Sequence, residues 1–338
     1  MLPAECIKLL EAKDTNEVPG LFMALKEGHA NAIKEFSQVL EASNVPLADR
    51  VKLLEAKDAN EVPGLYMALQ NGHTDAITAF GEALVKLKVP PDKCIELLTA
   101  KRAEGFPGLF RAFGVGHADV IKEFAQVLEA LNVPLAERVK LLEAKDTDGV
   151  PGFFWALHQG HANAIKELGQ LLKELKVPHD KCVELLTTKG PNGIHGLHMA
   201  LRNGHAGAIK EFAQALEALN VSPAECVGLL TGKGGGGPQL SLALKNGKLE
   251  AVEQYIQIVK KIAPELNDKQ RAVLLKEIRK SHATQIAGKW WSNFSYYEKL
   301  KKNNPELYRQ FKEVKNALKE RTRQRVASNF LVPLQHEQ

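Results

Sequence analysis

Asp146-Thr147-Asp148-Gly149-Val150-Pro151-Gly152-Phe153-Phe154-Trp155-Ala156-Leu157-His158-Gln159-Gly160-His161 reads in order as a turn, a short helix and a stop. Asp146 to Val150 is turn chemistry. Pro151-Gly152 opens a helix from Phe153 to Gln159, and Gly160 ends it by tolerating a left-handed backbone. Upstream, Pro134 suits a first helical turn, and Leu135, Val139 and Leu142 recur at helical spacing. Downstream, a third helix from Ala162 to about Leu175 carries Ile165, Leu168, Leu171, Leu172 and Leu175 on one face. The segment predicts three helices and no strand.

The same phrase recurs. Gly28-His29, Gly72-His73, Gly116-His117, Gly160-His161 and Gly204-His205 stand 44 residues apart, so the chain is a tandem array. The copies run 1 to 44, 45 to 88, 89 to 132, 133 to 176, 177 to 220 and 221 to 263, the last one residue short. Copies 2 and 4 share Arg-Val-Lys-Leu-Leu-Glu-Ala-Lys-Asp (Arg50 to Asp58, Arg138 to Asp146) where the other copies have Cys, which points to a duplicated pair of repeats. The expected fold class is all-α, a solenoid of six three-helix units with a C-terminal helical cap. Six units stacked at about 10 Å each give a surface of about 60 Å for partner recognition.

Hydrophobic content of 44% with 25% charged residues is that of a folded soluble protein, and no apolar run approaches the ~18 residues of a membrane span. The first repeat begins at Met1 with no basic and apolar leader, so Sec-type export is not expected. The expected location is the cytoplasm. Cys6, Cys94, Cys182 and Cys226 share one repeat position. Units about 10 Å apart hold them beyond the ~7 Å Cα separation of a disulfide, so they are expected to be reduced. Neither CxxC nor Cys/His spacing calls for a metal, and no cofactor is implied.

The quoted segment resembles the opening of an ankyrin repeat, D-x-x-G-x-T-P-L-H-L-A-A-x-x-G-H. Copy 5 resembles it more closely through Gly193, Leu197, His198, Ala200, Gly204 and His205, with Ala208-Ile209-Lys210 similar to the start of the second ankyrin helix. Two departures stand out: Thr-Pro becomes Pro-Gly or His195-Gly196, and the repeat exceeds the usual ~33 residues by one short helix. The resemblance covers residues 1 to 263. It implies an array that grips another macromolecule, similar to the expanded kind found in bacterial effectors delivered into eukaryotic cells; the expected partner is a protein bound by a monomer.

Three sets of positions carry the functional question. The recurring histidines are expected to be structural, bonding backbone at their own turn, because a spacing of about 10 Å prevents two of them from sharing an ion. The residue after the shared leucine reads Phe22, Tyr66, Phe110, Phe154, His198 and Ser241, and the next reads Met23, Met67, Arg111, Trp155, Met199 and Leu242. In an ankyrin-like helix the second column points inward, leaving Arg111 to reach solvent by its stem or to mark a break in the stack. Both columns pack in one reading. In the other an exposed aromatic stripe offers Tyr66, Phe110 and Trp155 as anchors, with Phe154 and His198 beside them. The third set, Lys26-Glu27, Gln70-Asn71, Gly114-Val115, His158-Gln159, Arg202-Asn203 and Lys245-Asn246, is polar and differs between copies, as a recognition rim or neutral drift would. Gly234 to Gly237 lacks the Gly-Lys-Ser/Thr of a phosphate loop and reads as a connector.

Composition shifts after Ala263. Residues 264 to 338 hold 16 Lys plus Arg against 8 Asp plus Glu, a net +8 that leaves the repeats near −3 of the chain's +5. Eight of the 21 aromatic residues fall there, among them Trp290, Trp291, Phe294, Tyr296, Tyr297, Tyr308 and Phe311. Asn304-Pro305-Glu306 starts a helix whose Leu307, Phe311, Val314 and Leu318 form one face, ringed by Lys312, Lys315, Lys319, Arg321, Arg323 and Arg325. A cap with its aromatics packed inward, a nucleic-acid binder, a membrane-surface or calmodulin-like ligand, and a nuclear address at Lys319 to Arg325 all fit this pattern. An enzyme is the competing class. His282 and His336 are the only histidines there and no cysteine joins them, so neither a nucleophile with its base nor a metal cluster assembles.

Overall fold

The computed structural model describes residues 3–187, 189–190, 193–231, 239–280 and 300–329, with side chains excepted at Gln239, Arg279, Lys280 and 320–329. Helices follow the repeat: α1 (Pro3–Leu10), α2 (Gly20–Lys26) and α3 (Ala30–Ala42); α4 (Leu47–Glu55), α5 (Gly64–Asn71) and α6 (Thr74–Lys86); α7 (Pro91–Thr99), α8 (Gly108–Val115) and α9 (Ala118–Ala130). Then come α10 (Leu135–Glu143), α11 (Gly152–Gln159) and α12 (Ala162–Glu174); α13 (His179–Leu186), α14 (Gly196–Asn203) and α15 (Ala206–Ala218); α16 (Pro223–Thr231), α17 (Gln239–Lys245) and α18 (Leu249–Ile262). After a 3-10 turn at Ala263–Glu265 stand α19 (Asp268–Lys280) and α20 (Pro305–Asn329). Among the described residues the only β pairing is a series of isolated bridges, such as Lys57 to Pro63. The run Gly234 to Gly237 and Trp290, Trp291, Phe294, Tyr296 and Tyr297 lie outside the described residues, as do His282 and His336.

Two compact units divide the chain inside the fifth repeat, residues 1–188 and 189–338. In the first unit second helices stack on second helices (α2, α5, α8, α11) and third on third (α3, α6, α9, α12), the packing of a helical repeat solenoid. In the second unit α14 stacks on α17 and α15 on α18.

Local chemistry fixes each connection. In the turn before α5 the Asp58 carboxylate accepts the amides of Asn60 and Val62, both at 2.9 Å. Ala56 closes α4 in a left-handed conformation (φ 34°) and its carbonyl accepts the Gly64 amide at 2.9 Å. Pro63-Gly64 then starts α5, and the glycine has a second duty. A Cβ there would lie 3.0 Å from the Phe22 backbone and 2.9 Å from Leu25 of the preceding repeat. Gly108 meets Tyr66 and Leu69 in the same way, and Gly152 meets Phe110 and Phe113. The Pro-Gly pair therefore sets how closely second helices approach and which of their faces turns inward.

The Gly-His pair interlocks successive repeats. Gly116 adopts φ +89°, and its missing Cβ leaves room for the His161 ring, which would otherwise lie 2.6 Å away. His161 Nε2 meets the Gly114 carbonyl at 2.9 Å, and His117 Nε2 meets that of Gln70 at 3.1 Å. The expectation of a structural histidine bonding its own turn is thus corrected in its partner: the ring reaches back to the preceding repeat. The shared Cys/Arg position works similarly. The Cys94 thiol donates to Val89 O (3.3 Å), Cys182 to Val177 O (3.4 Å) and Arg138 Nε to Val133 O (2.6 Å), each five residues upstream. All four cysteines are free and buried, and burial pushes the Cys94 and Cys226 thiols up to about 11.

That last contact extends the array. Arg271 Nε donates to Leu266 O at 2.7 Å, again five residues upstream, and α19 stacks on the first helix α16 as α7 stacks on α4. Residues 300–303 are helical, Asn304 interrupts, and α20 follows and stacks on the third helix α18. The Asn304 side chain accepts the Leu307 amide at 3.0 Å, the N-cap its sequence predicts. Residues after Ala263 thus continue the repeat register, and α20 covers the end of the array with Leu307, Phe311, Val314 and Leu318, each 1% exposed.

Candidate functional site

Each second helix is two turns long and almost wholly apolar, so only packing decides which residues face out. The column after the shared leucine is core: Phe22, Tyr66, Phe110, Phe154, His198 and Ser241 are all buried. The next column faces outward, with Arg111 exposed and Met23, Met67, Trp155, Met199 and Leu242 partly exposed. This reverses the expectation that the second column points inward, and Arg111 needs no special route to solvent. Tyr66, Phe110, Phe154 and His198 are core groups rather than exposed anchors. Trp155, His158, Arg111 and Arg202 lie on the accessible side.

The outward column and the residues three and four positions later form one stripe per helix. It reads Met23, Lys26 and Glu27 in the first repeat, then Met67, Gln70 and Asn71, then Arg111, Gly114 and Val115, then Trp155, His158 and Gln159. In the second unit it reads Met199, Arg202 and Asn203, then Leu242, Lys245 and Asn246. Trp155 sits edge-on to His158 at 5.2 Å and to Phe154 at 5.7 Å. Gly114, whose added Cβ would lie 3.9 Å from that of Trp155, leaves space beside the indole.

The third helices present the other exposed face for comparison. On third helices α3, α9 and α15 five exposed or partly exposed positions hold the same residues: Lys34, Glu35, Gln38, Glu41 and Ala42; Lys122, Glu123, Gln126, Glu129 and Ala130; Lys210, Glu211, Gln214, Glu217 and Ala218; the exposed first-turn position differs as Asn31, Asp119 and Gly207. The stripes of those three repeats share only the methionine of Met23 and Met199. Repeats 2 and 4 keep the exposed Leu47, Ala48 and Lys52 as Leu135, Ala136 and Lys140, yet differ at all three stripe positions. Solvated drift would scramble every exposed face alike. Helices α6 (Thr78, Glu82, Val85, Lys86) and α12 (Lys173, Glu174) depart from the third-helix set, so that face is held in part, while the stripe's outward column repeats only Met23, Met67 and Met199.

The remaining chemistry is sparse and mostly structural. In the second unit His198 Nε2 meets Leu230 O at 3.3 Å, the Tyr255 hydroxyl donates to the same carbonyl at 2.8 Å, and the His195 ring stands 5.8 Å from that of His198. Burial, with the neighbouring His195, pulls His198 down to about 4 against the effect of its bond to Leu230. Arg271, 3% exposed, donates to the carbonyls of Leu266, Ala317 (2.9 Å) and Pro264 (3.1 Å), a clasp that residue spacing did not reveal. Of the basic tail, Lys312 is exposed while Lys315 and Lys319 are partly covered. Arg321, Arg323 and Arg325 belong to α20 by backbone, and their side chains lie outside the described residues. Hollows of about 460 and 390 Å³ lie between α6 and α9 and at the Gly-His turns around His117, both away from the stripe. Among the described residues no three His, Cys, Asp or Glu side chains gather as a metal site, and no helix is long and apolar enough to cross a membrane.

No protein-family model matches this chain, and no curated protein matches it in sequence.

Proposed function

We propose that the chain is a non-enzymatic, ankyrin-like interaction scaffold that grips a partner protein with the second-helix stripe. The observation that carries this reading is the outward stripe, which differs at most positions between repeats while α3, α9 and α15 repeat five of their exposed or partly exposed residues. Diversity on a rigid, periodic frame is what partner recognition requires, and aromatic and arginine residues such as Trp155 and Arg111 concentrate binding energy. The setting that the resemblance implies is a bacterial effector acting on a host protein.

The test is site-specific photocrosslinking in a eukaryotic lysate, with benzoylphenylalanine placed at position 67 or 111 in the stripe, or at 34 or 122 on third helices. A discrete protein adduct is expected from the stripe positions alone. Adducts of equal strength from the third-helix positions, or none from the stripe, would remove the stripe from consideration.

A further inference from the structure

The first unit's stripe has a definite chemical character. Every methionine of the chain other than Met1 lies in the outward column, and Met23, Met67 and Trp155 occupy three of its four places in this unit. Methionine is flexible and polarizable, and adapts to apolar groups of varied shape. The fourth place is Arg111. On third helices Lys34 pairs with Glu82 at 3.1 Å and Lys86 with Glu41 at 3.2 Å; Arg111, like Lys122 and Lys166, forms no ion pair among the described residues. Lys26 and His158 add basic groups to the stripe, and its one acid, Glu27, is engaged by Lys26 at 3.5 Å. Arg111 is thus the stripe's unneutralised cation, on repeats whose net charge is about −3.

We propose that this stripe takes an acidic polypeptide segment of a partner protein, one that carries apolar side chains between its carboxylates. The proposal rests on the scaffold reading above and specifies its ligand. A carboxylate of the segment answers Arg111, and its apolar side chains pack on Met23, Met67 and Trp155. Arginine offers carboxylate a two-pronged contact that an isolated exposed cation leaves unused. Four second helices at about 10 Å spacing span about 30 Å, the length of roughly nine extended or twenty helical residues. Methionine thioethers and one indole provide little base stacking, which favours polypeptide over nucleic acid.

The experiment pans a phage-displayed library of random 16-residue peptides against the full chain, then measures fluorescein-labelled winners by anisotropy. The comparison set is the unaltered chain, Arg111→Glu, Met67→Glu and the third-helix control Lys122→Glu. The expected winners are rich in Asp and Glu with interspersed apolar residues, bind at least tenfold more weakly to R111E and M67E, and bind K122E within twofold. Higher salt should weaken them further. Because positions 67, 111 and 122 face solvent or nearly so, circular dichroism of the variants should match the unaltered chain. Winners that depend on the stripe but lack acidic excess would overturn this inference and leave the scaffold reading standing. Winners indifferent to R111E and M67E, or no enrichment at all, would overturn both. A labelled single-stranded oligonucleotide of 20 bases that binds through Arg111 more tightly than any peptide would assign the stripe to nucleic acid instead.

Discussion

His198 offers a sharp test of how the core column is read. It occupies the position held by Phe22, Phe110 and Phe154, is 3% exposed, and titrates in the fold at about 4 rather than 6.5 because burial penalises the imidazolium. A lowered folded value means that the unfolded chain takes up the proton first, so stability is intact above pH 6.5 and falls as pH drops towards 4. With 1.36 kcal/mol per pH interval between the two values, the full loss is about 3.4 kcal/mol, of which about 2.5 kcal/mol is reached at pH 4.5. The perturbation is His198→Phe. The Leu230 carbonyl keeps the Tyr255 hydroxyl at 2.8 Å, so the substitution orphans no backbone acceptor and should change stability at pH 7.5 by under about 1 kcal/mol. At pH 4.5 the variant should gain about 2.5 kcal/mol relative to the unaltered chain. Urea unfolding followed by pulsed hydrogen exchange on peptides from residues 196 to 262 reports the second unit alone. A double difference below about 1 kcal/mol, or an imidazole resonance of His198 with a midpoint near 6.5, would refute the argument from burial.

Three further outcomes follow from the packing. Gly20→Ala and Gly108→Ala change the same repeat position with opposite results: nothing lies within 4 Å of the first, so thermal stability should hold or rise, while the second collides with Tyr66 and Leu69 and should lose about 1–3 kcal/mol. Gly116→Ala imposes a left-handed alanine and displaces the His161 ring, so chemical denaturation should show a loss of about 2–4 kcal/mol, larger than that of Gly149→Ala, which is also at positive φ but has open space around it; equal losses would show that backbone strain acts alone. Arg271→Met removes three donors from the carbonyls of Leu266, Ala317 and Pro264, and should cost the second unit about 3–5 kcal/mol with faster hydrogen exchange in residues 305–319; unchanged exchange there would show that the clasp is idle.

Local rules made the three helices of each repeat legible, because Pro, Gly and Asp act on backbone within a few residues and the apolar face of a third helix spans more than three turns. The quoted segment predicts a helix over residues 153–159 and another from 162 to about 175, and the structure has Gly152–Gln159 and Ala162–Glu174. The N-cap at Asn304 was equally visible. Tertiary structure alone decided which column of a second helix faces out: with Phe154 and Trp155 adjacent and both apolar, two helical turns have no periodicity strong enough to set the rotation. Close approach of Gly64, Gly108 and Gly152 to the preceding helix sets it instead. The same holds for the histidines, whose acceptors lie 47 residues back in the chain, and for Arg271, which resembles any surface arginine until three carbonyls converge on it. Sequence determined the repeating unit because its causes are local; the tertiary stack decided which surface of each second helix faces out, because facing out is a relation between helices that no single helix encodes.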